Sequence, residues 1–154
     1  MAKRTYRYFD GEPLYPFGYG LSYTTFAYRN LQIDNPSVAA DGTVRLSVDV
    51  ANTGQRKAEE VVELYLTHEA VPGAAIRALK GFQRIALDAE DQRTVSFTLS
   101  SRDLGIVDPE GKHRIVPGTV DVWIGGGQPV SRNGTTAAGV KGQFSITSEA
   151  RLPD

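Results

Sequence analysis

The residues best equipped for proton transfer or metal binding are His68 and His113, and three carboxylates close in sequence, Asp103, Asp108 and Glu110. Zinc sites draw on several His, Cys or carboxylate ligands at short, recurrent spacings. Neither histidine has such a partner, so both read as ordinary surface or strand-end residues. A hydrolase working through paired carboxyls needs two of them about 5 to 9.5 Å apart, and sequence alone leaves open whether Asp103, Asp108 and Glu110 converge. Their turn-forming context is the better explanation. Asp108-Pro109-Glu110-Gly111 has Asp, Pro and Gly at the first, second and fourth places, the preference of a type I turn. No catalytic residue, metal ligand or cofactor site is therefore assigned.

Other motifs fail on context. Gly18-Tyr19-Gly20-Leu21-Ser22-Tyr23 begins like a dinucleotide fingerprint but lacks its last glycine and a strand-to-helix setting. Gly125-Gly126-Gly127 leads into Gln128-Pro129 rather than a Lys and a helix, so it reads as a flexible loop and not a phosphate cradle. There is no Gly-x-Ser-x-Gly elbow. Asn133-Gly134-Thr135 satisfies the glycosylation rule, which matters only in a secretory eukaryotic host. Without cysteine the chain has no thiol nucleophile or disulfide framework, and its redox compartment stays undetermined. Lys plus Arg total 17 against 18 for Asp plus Glu, a net charge of -1, which disfavours nucleic acid and anionic membrane as partners. No apolar run approaches the ~20 residues that cross a bilayer, and the sequence predicts a soluble chain.

The elements that must position these residues are strands. Val44, Leu46, Val48 and Val50 alternate with Arg45, Ser47 and Asp49, between turn signals at Asp41-Gly42 and Asn52-Thr53-Gly54. Val62, Leu64 and Leu66 line one face of the next strand, with Glu63, Tyr65 and Thr67 on the other. Ala78 to Leu87 follows, its apolar spacing slipping around Gly81 in the manner of a bulge. Gln92 to Ser100 alternates strictly through Val95, Phe97 and Leu99. Ser101 to Leu104 predicts a short helical turn capped by Ser101. Ile106-Val107 and Arg114-Ile115-Val116 predict a hairpin, and Pro117-Gly118 a type II turn. Thr119 to Gly125 and a last strand through Val140, Phe144 and Ile146 complete the set. With Thr25 to Ile33 this makes seven or eight short strands, which predicts an all-β, antiparallel two-sheet sandwich of fibronectin type III-like or immunoglobulin-like class.

One stretch does not fit a lone sandwich. From Leu14 to Phe26 the chain carries Tyr15, Phe17, Tyr19 and Tyr23 between Pro16, Gly18 and Gly20, residues that break helices and let the backbone bend. Each ring contributes about 1.5 to 3 kcal/mol when fully buried. A bent ribbon of rings reads as a segment pressed between two surfaces.

The stretch Tyr15-Pro16-Phe17-Gly18-Tyr19-Gly20-Leu21-Ser22-Tyr23-Thr24 closely resembles the passage by which family 3 glycoside hydrolases, the β-glucosidases and β-xylosidases, enter their C-terminal fibronectin type III-like domain. The resemblance runs from about Arg4 to Ile146. It continues through Asn52-Thr53-Gly54 with Glu60-Val61-Val62-Glu63-Leu64-Tyr65-Leu66, then Leu79-Lys80-Gly81-Phe82-Gln83-Arg84-Ile85, then Pro117-Gly118-Thr119-Val120-Asp121-Val122-Trp123-Ile124-Gly125. His113 stands where the family commonly has an aromatic, and Val116 where an acidic residue usually precedes Pro-Gly. The Gly126-Gly127-Gln128-Pro129 stretch leans towards the xylosidase branch.

The resemblance implies an accessory module. In family 3 the nucleophile and the acid/base lie in domains before the aromatic segment, and nothing in this chain matches their motifs. It also implies a division into an aromatic docking segment (1–24), a sandwich (25–148) and a tail (149–154), and a parent enzyme that is periplasmic or secreted, with any export signal at that parent's own N-terminus. The leading expectation is docking on the parent's catalytic domains through Tyr15, Phe17, Tyr19 and Tyr23, joined by Tyr6, Tyr8 and Phe9, so that the isolated chain self-associates. The plainer reading packs these rings within the sandwich's own end. A second expectation is a module binding plant polysaccharide or lignin-rich material, with Trp123 and Tyr65 as an exposed platform; against it stands burial of Trp123 under the loop from Gly125 to Gly139. A third is a free-standing adhesion domain, which leaves the aromatic segment unexplained.

Overall fold

The computed structural model describes residues 5–11, 24–69, 71–72, 74–129 and 136–153. Along the chain these form β1 (Phe26–Ile33), β2 (Ser37–Val38), β3 (Val44–Asn52), β4 (Ala58–His68), β5 (Ala78–Leu87), β6 (Gln92–Leu99), α1 (Ser101–Leu104), β7 (Ile106–Val107), β8 (His113–Ile115), β9 (Gly118–Gly125), β10 (Gly139–Ile146) and β11 (Ala150–Arg151). A three-stranded sheet ordered β1-β3-β6 packs on a five-stranded sheet ordered β2-β10-β9-β4-β5. The period-two pattern explains why. Val44, Leu46, Val48 and Val50 of β3 and Val95, Phe97 and Leu99 of β6 are buried from one side. Val62, Leu64 and Leu66 of β4, Val120, Val122 and Ile124 of β9, and Phe144 and Ile146 of β10 meet them from the other.

Three details depart from the simplest sandwich. The edge strand β2 runs parallel to β10, pairing Ser37 with Ser145 and Val38 with Ile146. A small third sheet, ordered β11-β8-β7, closes one end. Residues 150–152, in the stretch expected as a tail, join this sheet: Ala150 pairs with Ile115, Arg151 with Arg114, and Leu152 N donates to the His113 carbonyl at 3.0 Å.

Local signals read from sequence map onto real turns, with two corrections. The Gly111 N–H closes on the Asp108 carbonyl at 2.9 Å and joins β7 to β8. The helical turn is capped one residue earlier than expected, at Ser100, whose N–H and hydroxyl both donate to Asp103 Oδ2. Pro117-Gly118 is not a hydrogen-bonded turn. Residues 116–117 cross between sheets and Gly118, at φ 143°, opens β9 opposite Ile146. The expected bulge in β5 is present, because Gly81 pairs with Leu64 and Leu79 with Tyr65, leaving Lys80 outside the ladder.

Candidate functional site

The five-stranded sheet buries side chains on both of its faces, and the outer one gathers the features that could serve a function. On it, Tyr65 of β4 stands directly opposite Trp123 of β9. The Tyr65 hydroxyl donates to Glu63 Oε2 at 2.6 Å, and the Tyr6 ring meets the Tyr65 ring edge-on, with centroids 6.3 Å apart. The Trp123 indole N–H donates to the Gly127 carbonyl at 2.8 Å. Tyr65 is 1% exposed and Trp123 8%. Stacking a sugar needs a ring face broadly open to water, and both rings are largely buried although they border a groove. The expected carbohydrate platform is therefore corrected: Tyr65 and Trp123 form a second buried layer, sealed by Tyr6 and by the ends of the β9–β10 connection.

The glycines of that connection are packing residues at its described ends. A Cβ on Gly139 would overlap Trp123 Cζ2 and lie 2.7 Å from the Ile124 carbonyl; one on Gly125 would lie 2.6 Å from the Ala138 carbonyl. Reading Gly125 to Gly127 as a flexible loop missed this close approach of backbone to indole.

Beside this layer runs an open groove of about 690 Å³, bordered by Thr67, Ile76, Arg77, Asp121, Lys141 and Gln143. Part of its polar rim is internally bonded. Gln143 Nε2 donates to Asp121 Oδ1 at 2.7 Å, and a hydrogen bond with Asp121 followed by its charge raises the Glu69 carboxyl above its ordinary pKa.

Electrostatics follow burial. Glu63 is 6% exposed, and burial raises its pKa, offset in part by the Tyr65 hydroxyl. Burial also raises Glu60, offset in part by its bond from the Val61 N–H. His68, at the end of β4, is half-buried with Nε2 unpartnered; burial, then the Lys80 charge, lowers it to about 4. Burial lowers Lys80, whose ammonium donates to the Gly105 carbonyl at 3.3 Å.

The carboxylates considered for chemistry each have a structural task. Asp103 closes the helix cap, while Asp108 Oδ1 accepts the N–H groups of Glu110 at 3.0 Å and Lys112 at 2.8 Å. Those bonds, the Lys112 one foremost, hold Asp108 below the usual carboxylate range. His68 and His113 lie on different sheets. Among the described residues no three His, Asp or Glu side chains are placed to share a metal ion.

Tyr15, Phe17, Tyr19 and Tyr23 lie outside the described residues. Of the rings expected to join them, Tyr6 is engaged on Tyr65, whereas Tyr8 and Phe9 remain 39% and 37% exposed. The segment carrying them lies against the β4–β5 connection through a bond from the Ile76 N–H to the Arg7 carbonyl at 2.7 Å. Phe82, not singled out from sequence, is 68% exposed on edge strand β5, opposite Glu63. Alternation in β5 is interrupted at Lys80, so no period-two count could assign Phe82 to the wet face.

The same architecture recurs in known proteins. Residues 60–128 match the family model described as a fibronectin type III-like domain. The chain is 44% identical over 125 residues to a β-xylosidase from Formosa agariphila, covering 80% of this chain and 17% of that one. It is 41% identical over 126 residues to a periplasmic β-glucosidase of Salmonella typhimurium, covering 80% of this chain and 16% of that one. The solved structure of β-glucosidase 3B from Thermotoga neapolitana with glucose superposes with a TM-score of 0.80 at 30% identity, over 97% of this chain and 19% of that one. The chain thus spans less than a fifth of the length of each. With the sandwich, the motif order and these likenesses together, the chain belongs to the fibronectin type III-like domains carried by family 3 β-glucosidases and β-xylosidases.

Proposed function

We propose that this chain is a non-catalytic accessory domain of a family 3 β-glucosidase or β-xylosidase and that it braces the catalytic part by docking against it. The observation that carries this reading is its correspondence to 17% of a β-xylosidase at 44% identity, a span that is one sandwich. Docking is supported by where apolar surface stays open. Tyr8, Phe9 and Phe82 expose large rings whose apolar area a second surface would withdraw from water. Tyr15, Phe17, Tyr19 and Tyr23 belong to the same reading on sequence grounds.

Two measurements test it. The purified chain is expected to leave aryl β-glucosides and β-xylosides uncleaved; hydrolysis abolished by a single carboxylate replacement would overturn the accessory role. Light scattering of the chain alone is expected to show concentration-dependent association that weakens in a Tyr8→Ser, Phe82→Ser double variant. A strictly monomeric protein, unaffected in solubility by those changes or by Tyr15→Ser, would overturn docking.

A further inference from the structure

The bulge in β5 sends Lys80 out of the ladder and towards the closed end of the sandwich, where its ammonium reaches the Gly105 carbonyl just past α1. Bulges re-aim side chains in this way, often next to functional sites. Around that end lies a cavity of about 300 Å³ walled by Arg7, Lys80, Arg102 and His113 together with Val107 and Leu152. Among the described residues, none of those lining it carries a carboxylate. The nearest acid acting on Lys80, Asp103, has a carboxylate oxygen taken up by the Ser100 N–H and hydroxyl.

Three cationic side chains and a histidine share this small space. Arg7 Nε is buried with no hydrogen-bond partner, and the guanidinium carbon lies 5.9 Å from the centre of the Tyr8 ring. Lys80 donates to a neutral carbonyl, with the Asp103 charge favouring its ammonium and the Arg7 charge opposing it. Arg7 and Lys80 are partly withdrawn from water while Arg102 and His113 are exposed, and gathering like charges around a partly buried pair is unfavourable unless an opposite charge joins them. Arg offers a planar fork of donors and Lys a point charge, the pair of donors that suits a carboxylate or phosphate oxygen set.

We infer that the cavity between Lys80, Arg7, Arg102 and His113 is a binding site for a small oxyanion group of the carboxylate or phosphate kind. The site is independent of the docking reading, since it is formed by this chain's own residues. The group reaches it either on an acidic side chain of an adjoining polypeptide or as a free small anion. Val107, 40% exposed at the rim, provides an apolar wall against which the methylene stem of such a side chain would lie.

The test uses the whole chain, labelled with nitrogen-15, titrated separately with sodium acetate and inorganic phosphate at constant ionic strength. Saturable shifts are expected at the amides of Lys80, Gly105 and His113, with Arg102→Gln weakening binding several-fold and Lys80→Met at least ten-fold. Arg102 is exposed, so its variant keeps the fold even where Lys80→Met does not. Tighter saturation by acetate identifies a side-chain carboxylate as the occupant, and tighter saturation by phosphate a free anion. Non-saturating shifts spread over the surface, or an Arg102→Gln variant that binds both anions as wild type does while Lys80→Met folds and binds unchanged, would overturn the site.

Discussion

Asn52 Oδ1 accepts a hydrogen bond from Thr24 Oγ1 at 2.7 Å, fastening the entry of the sandwich to the far end of β3. The same oxygen accepts the Gly54 N–H at 3.0 Å, and Nδ2 donates to the Arg56 carbonyl at 2.7 Å and the Leu87 carbonyl at 3.2 Å. Asn52 is only 1% exposed, so every polar atom of its amide is withdrawn from water and used. It occupies the inward position that the β3 alternation would otherwise give to an apolar residue.

Replacing this amide leaves several buried groups unpaired at once, each costing about 1 to 3 kcal/mol when not rehydrated. Asn52→Ala is expected to destabilise the chain by roughly 2 to 4 kcal/mol, some partners regaining water at the turn. Urea unfolding reads it as a lower midpoint with an unchanged slope. Gly54→Ala is expected to act in the same direction, because a Cβ there would overlap Thr24 Oγ1. A midpoint unmoved by Asn52→Ala would show that the amide network contributes nothing.

Trp123 is the chain's single tryptophan, so its fluorescence reports one site. Buried and bonded to the Gly127 carbonyl, it is expected to emit at short wavelength and resist quenching by iodide. Trp123→Ala should cost about 3 to 5 kcal/mol, the usual range for emptying a large aromatic site. Gly139→Ala should shift emission to the red and cost about 1 to 3 kcal/mol, as overpacking does. Strong quenching of wild type, or shifts on adding xylo-oligosaccharides, would return the ring to the surface.

What was legible in the sequence followed from period two. The alternations at 44–50, 62–66, 95–99 and 120–124 placed the core of both sheets, and the slip at Gly81 marked the bulge. What was not legible depended on which strands became neighbours. Asn52 read as a turn residue because its partners Thr24 and Leu87 are distant in sequence. Tyr65 and Trp123 alternate out of phase with the core, which left an exposed platform open beside burial of Trp123; a sheet covered on both faces hides that phase too. The significance of Lys80 needed the bulge, α1 and residues 5–11 in one place, which no local pattern encodes.

Glu90 occupies the turn between β5 and β6 at φ 62°, a left-handed conformation that costs a residue with a long side chain. Its side chain is exposed and its turn is already closed by the bond from the Asp91 N–H to the Asp88 carbonyl at 3.2 Å. Glu90→Asn or Glu90→Gly is therefore expected to stabilise the fold by about 0.5 to 1 kcal/mol, glycine giving back part of its gain through a freer unfolded chain. Thermal melting reads this as a rise of a few degrees. Destabilisation by both substitutions would show that the glutamate makes a compensating contact.

His68 sets the expected response to acid. Its folded pKa is about 4 against an ordinary 6.5, through burial and the nearby Lys80 charge. Between those values the unfolded chain takes up a proton that the folded chain refuses, so this contribution is fully present above pH 6.5 and is lost as pH falls towards 4. Glu60 and Glu63 act the other way: their raised pKa values cost stability at neutral pH, and that cost is relieved as pH falls through their folded values. The overall profile mixes the two signs, so the informative quantity is the gap between wild type and His68→Gln. From pH 7 to pH 4.5 wild type is expected to lose roughly 1 to 2 kcal/mol relative to the variant, a figure reduced for the solvent that still screens a half-buried ring. Urea midpoints at both pH values measure it. A gap that stays constant, or widens in favour of wild type at pH 4.5, would mean that the imidazole takes up its proton as readily in the fold as in the unfolded chain.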